Sequence, residues 1–562
     1  KYLQNLFKIR EDINKEYDNF RIMLEDMLIK ETNKNISSLQ KVVKEKYLIQ
    51  KDVSKSEEKL ENIYEKIDNE QDWLEVNNIL SIYEKRQMVE YYSSIEKQIS
   101  NLQLQLKEKG EDMKTTEAMK SFELVRKNYQ PEKVACLSKE EMQWFRDAKF
   151  GMFIHWGIYS MLGKGEWVLF NERLDVKEYE KLAEDFKAEK FDARAWAKAA
   201  KDAGMKYMVL TTRHHDGFCL FDSKTSDFKA TNSAAEKDFV REYVEACREA
   251  GLKVGFYYSP LDWRFPGYFF SDLYWENAQA LKKQCHDQLI ELMTNYGKID
   301  MLWFDGEWLA LGGNDWTGEK GWFRKPDWAV GEYMRVNYFW ESEKIINEIR
   351  KLQPGIMINN RFGWEGDFHT RERRIDEIRT DKPWDSCDCI ADSWGYILGR
   401  EVLSLRELIH NLVSIVVRDG NYLLNVGPTG DGNMEEEQVK RLAEQGAWMK
   451  QYGETLYGTR GGPVIPGSWG GTTYKENKVY VHIMEWKSDK IRLQLTGNKL
   501  KSWKLWNVKS ADIQEKDGYI QIEVPEAERD AYDTIIELEF EIPFSGRALP
   551  VKKMMYMDWQ MD

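Results

Sequence analysis

Glycine is missing from residues 1–109 and proline from everything before Pro131, although the chain of 562 residues carries 37 and 12 of them. These are the two poorest residues for a helix interior, so a long stretch without either, rich in Lys, Glu, Ile and Leu, predicts extended helix. Tryptophan is scarce there too, since only Trp73 of the 22 precedes residue 144. Cysteine is sparse throughout: the six, at 136, 219, 247, 285, 387 and 389, form no CxxC pair of the zinc or redox kind. They are expected to be reduced and mostly buried. No apolar run reaches eighteen residues, no Lys/Arg block stands out, and the formal net charge is -14. A membrane span and attraction to nucleic acid or an anionic membrane are therefore not expected. No GxGxxG or GxxxxGK[ST] follows an apolar strand, which argues against a nucleotide enzyme. There is no signal peptide, but residue 1 is Lys rather than Met; the compartment stays open, and an extracytoplasmic one fits a leader removed before this numbering.

What is there divides the chain. At this length two to four domains are expected. In residues 1–130, Leu60, Ile63 and Ile67, then Ile95, Ile99, Leu102 and Leu106, recur at three-four spacing. Such stripes predict a helical bundle or coiled-coil region, either packed on the next domain or used for oligomerisation or docking. Over residues 135–455, β-rich runs at 150–156, 207–212, 253–259, 299–305, 355–360 and 422–426 alternate with amphipathic stretches at 193–203, 238–250, 278–296, 341–352 and 403–417. That alternation predicts a parallel sheet covered by helices, with a (β/α)8-like barrel favoured over a doubly wound open sheet. After a helix at 435–452, alternating stretches at 478–483, 491–495 and 534–541 predict an antiparallel β-domain over 456–545, and 546–562 is an unassigned tail. The fold class is multidomain α/β.

Polar residues gather where such a barrel would put its reactive groups, at the C-terminal ends of its strands. Those ends read Phe153-Ile154-His155-Trp156-Gly157, Arg213-His214-His215-Asp216-Gly217-Phe218, Phe256-Tyr257-Tyr258-Ser259, Trp303-Phe304-Asp305-Gly306 and Asn359-Asn360-Arg361-Phe362. Three of only seven histidines, His155, His214 and His215, fall at two of them. Neutral imidazoles both donate and accept, which suits sugar hydroxyls; a His-rich metal site is the alternative and would want a carboxylate or third ligand with its own supporting shell. The Trp-rich second half also fits carbohydrate, because the C–H faces of a sugar pack on indole. Asp305 ends an apolar strand and is well placed to attack an anomeric carbon, although an Asp that caps a turn is commoner in general. A retaining mechanism needs a second carboxyl, and Glu365, Asp367 and Glu372 in the segment after the next strand all qualify; spacing does not choose among them. The loop 307–330 holds Trp308, Trp316, Trp322 and Trp328, expected either to shape the site for whatever carries the sugar or to pack as a shield.

The same motifs resemble the α-L-fucosidases of glycoside hydrolase family 29. The resemblance runs from Trp144-Phe145 through Lys149-Phe150-Gly151-Met152-Phe153-Ile154-His155-Trp156-Gly157, Gly165-Glu166-Trp167, the strand ends at 213–218, 257–259 and 303–306, to Asn421-Tyr422-Leu423-Leu424-Asn425-Val426-Gly427-Pro428-Thr429-Gly430-Asp431-Gly432. It covers most of residues 140–460. It implies a (β/α)8-type barrel, a C-terminal β-sandwich, no cofactor and no metal, and retention at the anomeric centre. By position it makes Asp305 the nucleophile. His155, Glu166, Trp167, His214, His215, Tyr257, Trp303 and Arg361 hold the sugar, and Trp394 forms an apolar wall. It selects Glu372 as acid/base, with Glu365 next and Asp367 third, because Arg371 stands where many members have proline. Arg213 and Asp385 replace a frequent lysine and glutamate. The implied activity is exo-hydrolysis of terminal L-fucose from fucosylated oligosaccharides or glycoconjugates, in two displacements. Cleavage of a related sugar such as L-galactose, or a barrel that binds fucose without turnover, are the rivals. Nothing in the resemblance covers the first 130 residues.

Overall fold

Runs that are apolar on both faces become strands of a sheet covered on both sides. In the computed structural model, which describes residues 127–544 apart from 270, 272–273, 307–336, 376–381, 496–497 and 517, plus isolated residues before 127, every residue of Tyr207–Arg213 is buried. The stripes at 60–67 and 95–106, the loop 307–330 and the tail 546–562 lie outside the described residues.

Eight parallel strands form one curled sheet: β1 Phe150–Ile154, β2 Tyr207–Arg213, β3 Lys253–Tyr258, β4 Met301–Phe304, β5 Met357–Ile358, β6 His369–Glu372, β7 Trp384–Cys389 and β8 Asn421–Val426. Their order is β5-β4-β3-β2-β1-β8-β7-β6, and a parallel bridge between Asn359 and Phe368 links the residue just past β5 to the one just before β6. Side chains alternate with the period of two that a strand imposes. Phe153, Val209, Tyr257, Met301, Trp303, Met357, Phe368 and Leu423 form one inner cluster. Their strand neighbours Met152, Leu210, Phe256, Leu302, Ile358 and Leu424 join an outer cluster with helix residues such as Trp196, Val240, Leu289, Ile346 and Leu412. Each such buried side chain contributes about 1.5–3 kcal/mol relative to exposure.

The covering helices start where capping residues satisfy their free N–H groups. Asp192 accepts from Ala195 N ahead of Ala193–Asp202, and Asp238 from Arg241 N ahead of Phe239–Ala250. Ser404 and Glu407 form a reciprocal capping box for Leu405–Val416, a motif whose loss costs about 1 kcal/mol. The remaining long helices are Trp275–Asn295, Ser342–Leu352 and Glu436–Tyr452.

Strict alternation of strand and helix fails between β5 and β6. Residues 359–368 connect β5 to β6 with no helix, because Gly363 and Gly366, at φ of 71° and 67°, turn the chain back within ten residues. The segment after the fifth strand, in which no strand was expected, thus contains one of its own, β6. Neither β6 (HTRE) nor β7 (WDSCDC) has the apolar run by which the other strands were legible.

The C-terminal region holds two antiparallel sheets. One has the order β13-β16-β11-β10-β9, from β9 Arg460–Gly461, β10 Gly470–Lys475, β11 Lys478–Ile483, β13 Leu500–Leu505 and β16 Thr534–Phe540. The other is β12-β15-β14, from β12 Lys490–Gln494, β14 Asp512–Lys516 and β15 Tyr519–Glu523. Val481, Ile536 and Leu538 of the first share a core with Leu493, Ile513 and Ile522 of the second. All six cysteines are free, five of them buried, and among the described residues no helix is long and apolar enough to cross a membrane.

Candidate active site

The inward parity of the strands runs to their C-terminal ends and, in three of them, just beyond. Phe153 is followed two residues on by His155, Trp303 by Asp305, Asn359 by Arg361, Thr370 by Glu372 and Leu423 by Asn425. All five therefore project to the inner side at the same end of the sheet. At β2 the register with β3 slips between Thr211 and Arg213. A bulge of this kind re-aims the residues beyond it, and here His214 and His215 both reach the inner side.

Asp305 is the hub. Tyr257 donates its hydroxyl to Oδ2 at 3.1 Å, Arg361 Nη1 donates to Oδ1 at 2.9 Å, and His215 Nε2 faces Oδ2 at 3.6 Å. The other guanidinium nitrogen, Arg361 Nη2, donates to Glu372 Oε2 at 3.0 Å. One guanidinium therefore spans two carboxylates. Since its two terminal nitrogens are about 2.3 Å apart, the bonded oxygens of Asp305 and Glu372 lie within roughly 8 Å of each other. Burial, the largest single influence, would lower the pKa of Arg361, but Asp305, Cys387 and Glu372 together outweigh it and the net shift is upward. Asp305 is mostly covered, with 14% of its side chain exposed, whereas Glu372 is 43% exposed and open to solvent.

Around these carboxylates the rings form a continuous wall. Trp303 stacks on Tyr257 at 5.7 Å and lies 5.0 Å beneath the Arg361 guanidinium. His155 packs against Trp394 at 5.2 Å, Tyr257 at 5.4 Å and His214 at 5.6 Å. His214 stacks on Tyr257 and abuts His215, and Trp167 stands edge-on to His215 at 5.3 Å. Glu166, buried, accepts from Gly395 N at 2.7 Å next to Trp394. Each of the eleven residues singled out from the sequence therefore lies at this end of the sheet, in contact with another of them or, for Glu166, with the neighbour of one.

Burial sets the charge state of the imidazoles. It pushes His155 down to about 4 and His215 to about 3, the latter helped by the Arg213 charge, and it holds His214 well below the ordinary range. All three are thus neutral near pH 7 and able to both donate and accept. His214 Nδ1 is sealed from solvent without a hydrogen-bond partner among the described residues. Burial also raises the Glu166 carboxyl. Among the described residues no group of three His, Cys, Asp or Glu side chains converges as metal ligands would.

The other two acid candidates are engaged elsewhere. Asp367 is fully buried and accepts from Leu137 N and Ile358 N, both at 2.8 Å, and from Arg350. Glu365 pairs with Lys382 at 3.2 Å, at the start of β7 rather than its end. That hydrogen bond lowers its pKa, the wrong direction for a group that must carry a proton.

Sequence reasoning passed over the residues that hold this wall in place. Ser259 Oγ lies 2.7 Å from His215 Nδ1, Asn425 Oδ1 lies 2.7 Å from His155 Nδ1, and Asp385 accepts from Trp303 Nε1 at 3.3 Å and from Thr370. Ser259 and Asn425 stand inside the quoted motifs, and their parity was the available signal. Asp385 was noted only as a replacement. Gly306, at φ 81°, has no room for a side chain: a Cβ would sit 2.8 Å from Ser259 Oγ and 2.9 Å from His215 Cε1.

A model of the α-L-fucosidase family matches residues 116–454. Human plasma α-L-fucosidase is 30% identical over 384 residues, covering 61% of this chain and 76% of that one. Among solved structures, α-L-fucosidase isoenzyme 1 from Paenibacillus thiaminolyticus has a TM-score of 0.62 at 37% identity, over 72% of this chain and 99% of that one. An α-L-fucosidase from Bacteroides thetaiotaomicron, trapped as a covalent intermediate with 2-fluoro-fucosyl fluoride, has a TM-score of 0.64 at 26% identity, over 74% of this chain and 99% of that one.

Proposed function

The chain belongs to the α-L-fucosidase family, glycoside hydrolase family 29, and from that membership we propose how its residues divide the work of the site. Its activity is the hydrolysis of α-L-fucosides with retention of configuration. Fucosylated glycans are its substrates, with a terminal L-fucose on an oligosaccharide or glycoconjugate as the group removed.

Asp305 is the nucleophile. Tyr257 and Arg361 each bind one of its oxygens, which fixes the rotation of the carboxylate for attack on the anomeric carbon. Glu372 is the acid/base. It protonates the departing oxygen in the first step and takes a proton from water in the second, as retention with two carboxyl groups requires. Its exposure suits a group that meets the leaving group first and water second. His155, His214 and His215 bind ring hydroxyls as neutral imidazoles with Glu166, while Trp303, Trp394 and Trp167 offer apolar faces. The observation that carries this reading is the single Arg361 guanidinium joined to both carboxylates inside the aromatic wall. The covalent intermediate trapped in the bacterial relative supports a covalent nucleophile over a direct attack by water.

The finer architecture belongs to the same reading. The sheet is a closed barrel of (β/α)8 type, supported by the bridge between Asn359 and Phe368. The two C-terminal sheets form a sandwich, supported by their shared core. The domain limits are 135–455 and 456–545.

Proton NMR of the hydrolysis of an aryl α-L-fucoside tests the proposal. α-L-Fucose is expected as the first product, turning into the β anomer only by mutarotation. β-L-Fucose appearing first would overturn the nucleophile, and faster turnover of an aryl L-galactoside would overturn the preference for fucose.

A further inference from the structure

Asn425 sits on the inner face of β8, fully buried, with both halves of its amide engaged. Nδ2 donates to the Trp394 carbonyl at 2.7 Å and points to the Ser393 carbonyl at 3.5 Å, while Oδ1 lies 2.7 Å from His155 Nδ1. The orientation of an amide is ordinarily ambiguous, but not here. Turned over, it would press its oxygen against the Trp394 carbonyl oxygen at 2.7 Å with no proton between them. An amide oxygen only accepts, so the proton of that contact belongs to His155 Nδ1. A neutral imidazole carrying its proton on Nδ1 has a lone pair on Nε2. No hydrogen bond from the described residues reaches His155 Nε2, and the ring keeps 4% of its surface accessible. His215 differs: its Nδ1 meets the Ser259 hydroxyl, which either donates or accepts, so that partner alone does not fix its tautomer.

We propose that Asn425 is a positioning residue that locks His155 in the Nδ1-protonated tautomer, so that Nε2 meets the substrate as an acceptor and the sugar hydroxyl there must donate. The inference rests on the reading of His155 as a sugar-binding residue. The same amide holds the backbone of Trp394, so one buried side chain fixes both a polar and an apolar wall of the sugar site. Burial keeps the ring neutral, as a free lone pair on Nε2 requires. The charged and titratable groups facing it are Asp305, which favours its protonation, and His215, which opposes it, with the His214 and Tyr257 rings packed alongside.

Histidine-selective ¹⁵N labelling of the full chain reads the tautomer directly, the His155 signals being assigned by their loss in His155→Gln. The wild type is expected to show protonated Nδ1 and unprotonated Nε2. In Asn425→Ala the two tautomers should mix, and kcat/KM for an aryl α-L-fucoside should fall about ten-fold, mostly through KM. Asn425→Asp can keep both contacts only with a proton on the oxygen facing the Trp394 carbonyl, so the Nδ1-protonated tautomer should persist while the melting temperature falls wherever that proton is lost. A protonated Nε2 in the wild type overturns the proposal, whatever becomes of the variants. So do His155 signals unchanged in Asn425→Ala, even with a lower melting temperature, since that is the mark of a merely structural residue. A wild type that turns over no fucoside would instead sink the sugar-binding reading and leave the tautomer measurement standing.

Discussion

The two ends of the eight-stranded sheet are built from the same charged residue types and treat them oppositely. At the N-terminal end, Lys149 enters β1 fully buried and binds Asp419, just ahead of β8, at 2.8 Å. Arg146 joins the same carboxylate and Arg460 binds Asp147 at 2.8 Å. Burial opposes the Asp419 charge, but Lys149 and Arg146 outweigh it and its pKa falls. At the C-terminal end, one guanidinium serves two carboxylates, and His214 Nδ1 has no partner among the described residues. At the first end the charges neutralise one another, although Arg146 Nε has no partner among the described residues; at the second, a shared guanidinium and neutral imidazoles line the proposed sugar site.

The comparison breaks first if chemistry does not depend on the C-terminal end. Asp305→Ala should lower kcat/KM for an aryl α-L-fucoside by about 10⁴-fold or more in a protein that still folds, since Arg361 keeps Glu372 as a partner. Azide should restore turnover of that variant as a fucosyl azide. Glu372→Ala should cost about 10²–10⁴-fold on a poor leaving group and far less on an activated aryl group, whose oxygen departs without a proton. Glu365→Ala, measured beside it, should match the wild type on both substrates. Equal losses in the two Glu variants would return the acid/base assignment to the open choice that spacing left.

How far this was legible in the sequence depends on the same contrast. Strands β1 to β4 and β8 announce themselves as apolar runs, and their polar last residues stand out against them, which is why His155, His214, His215, Tyr257 and Asp305 could be placed at one mouth. β6 and β7 carry Glu372, Thr370, Asp385 and Cys387 instead. Their inward side chains belong to a polar part of the site, so the periodicity that marks a strand was erased where the function sits. The choice among Glu365, Asp367 and Glu372 was illegible because it turns on direction. Seven residues separate the first from the last, and the intervening turn at Gly366 sends Glu365 toward the start of β7 and Glu372 to the end of β6. Asn425 and Ser259 act through other residues, and only contacts across strands reveal that.

Lys149→Met sharpens the comparison from the other end. It removes one partner of a buried carboxylate, and breaking a buried pair costs about 3–5 kcal/mol. The lower figure applies here because Asp419 keeps Arg146. The melting temperature should drop by several degrees while kcat per folded molecule is unchanged. A variant that folds as well as the wild type but turns over fucoside poorly would mean the two ends are coupled.

The smallest expected effect concerns pH, and its sign distinguishes two buried groups that oppose each other. Burial depresses His155 from 6.5 to about 4, so the unfolded chain binds more protons between those values and stability at this residue is lost as pH falls through that window. Burial raises Asp385 from 3.8 to about 7, so there the folded chain binds more protons, and stability is greatest below 3.8 and is lost as pH rises toward 7. Over pH 4 to 6.5 the two slopes partly cancel. Asp385→Asn keeps an acceptor for Trp303 Nε1 but removes the titration, so the melting temperature of the variant should climb more steeply with pH across this window than that of the wild type. Parallel curves for the two proteins would mean that the Asp385 carboxyl does not hold its proton beneath Trp303, and the contrast between the two ends of the sheet would lose one of its supports.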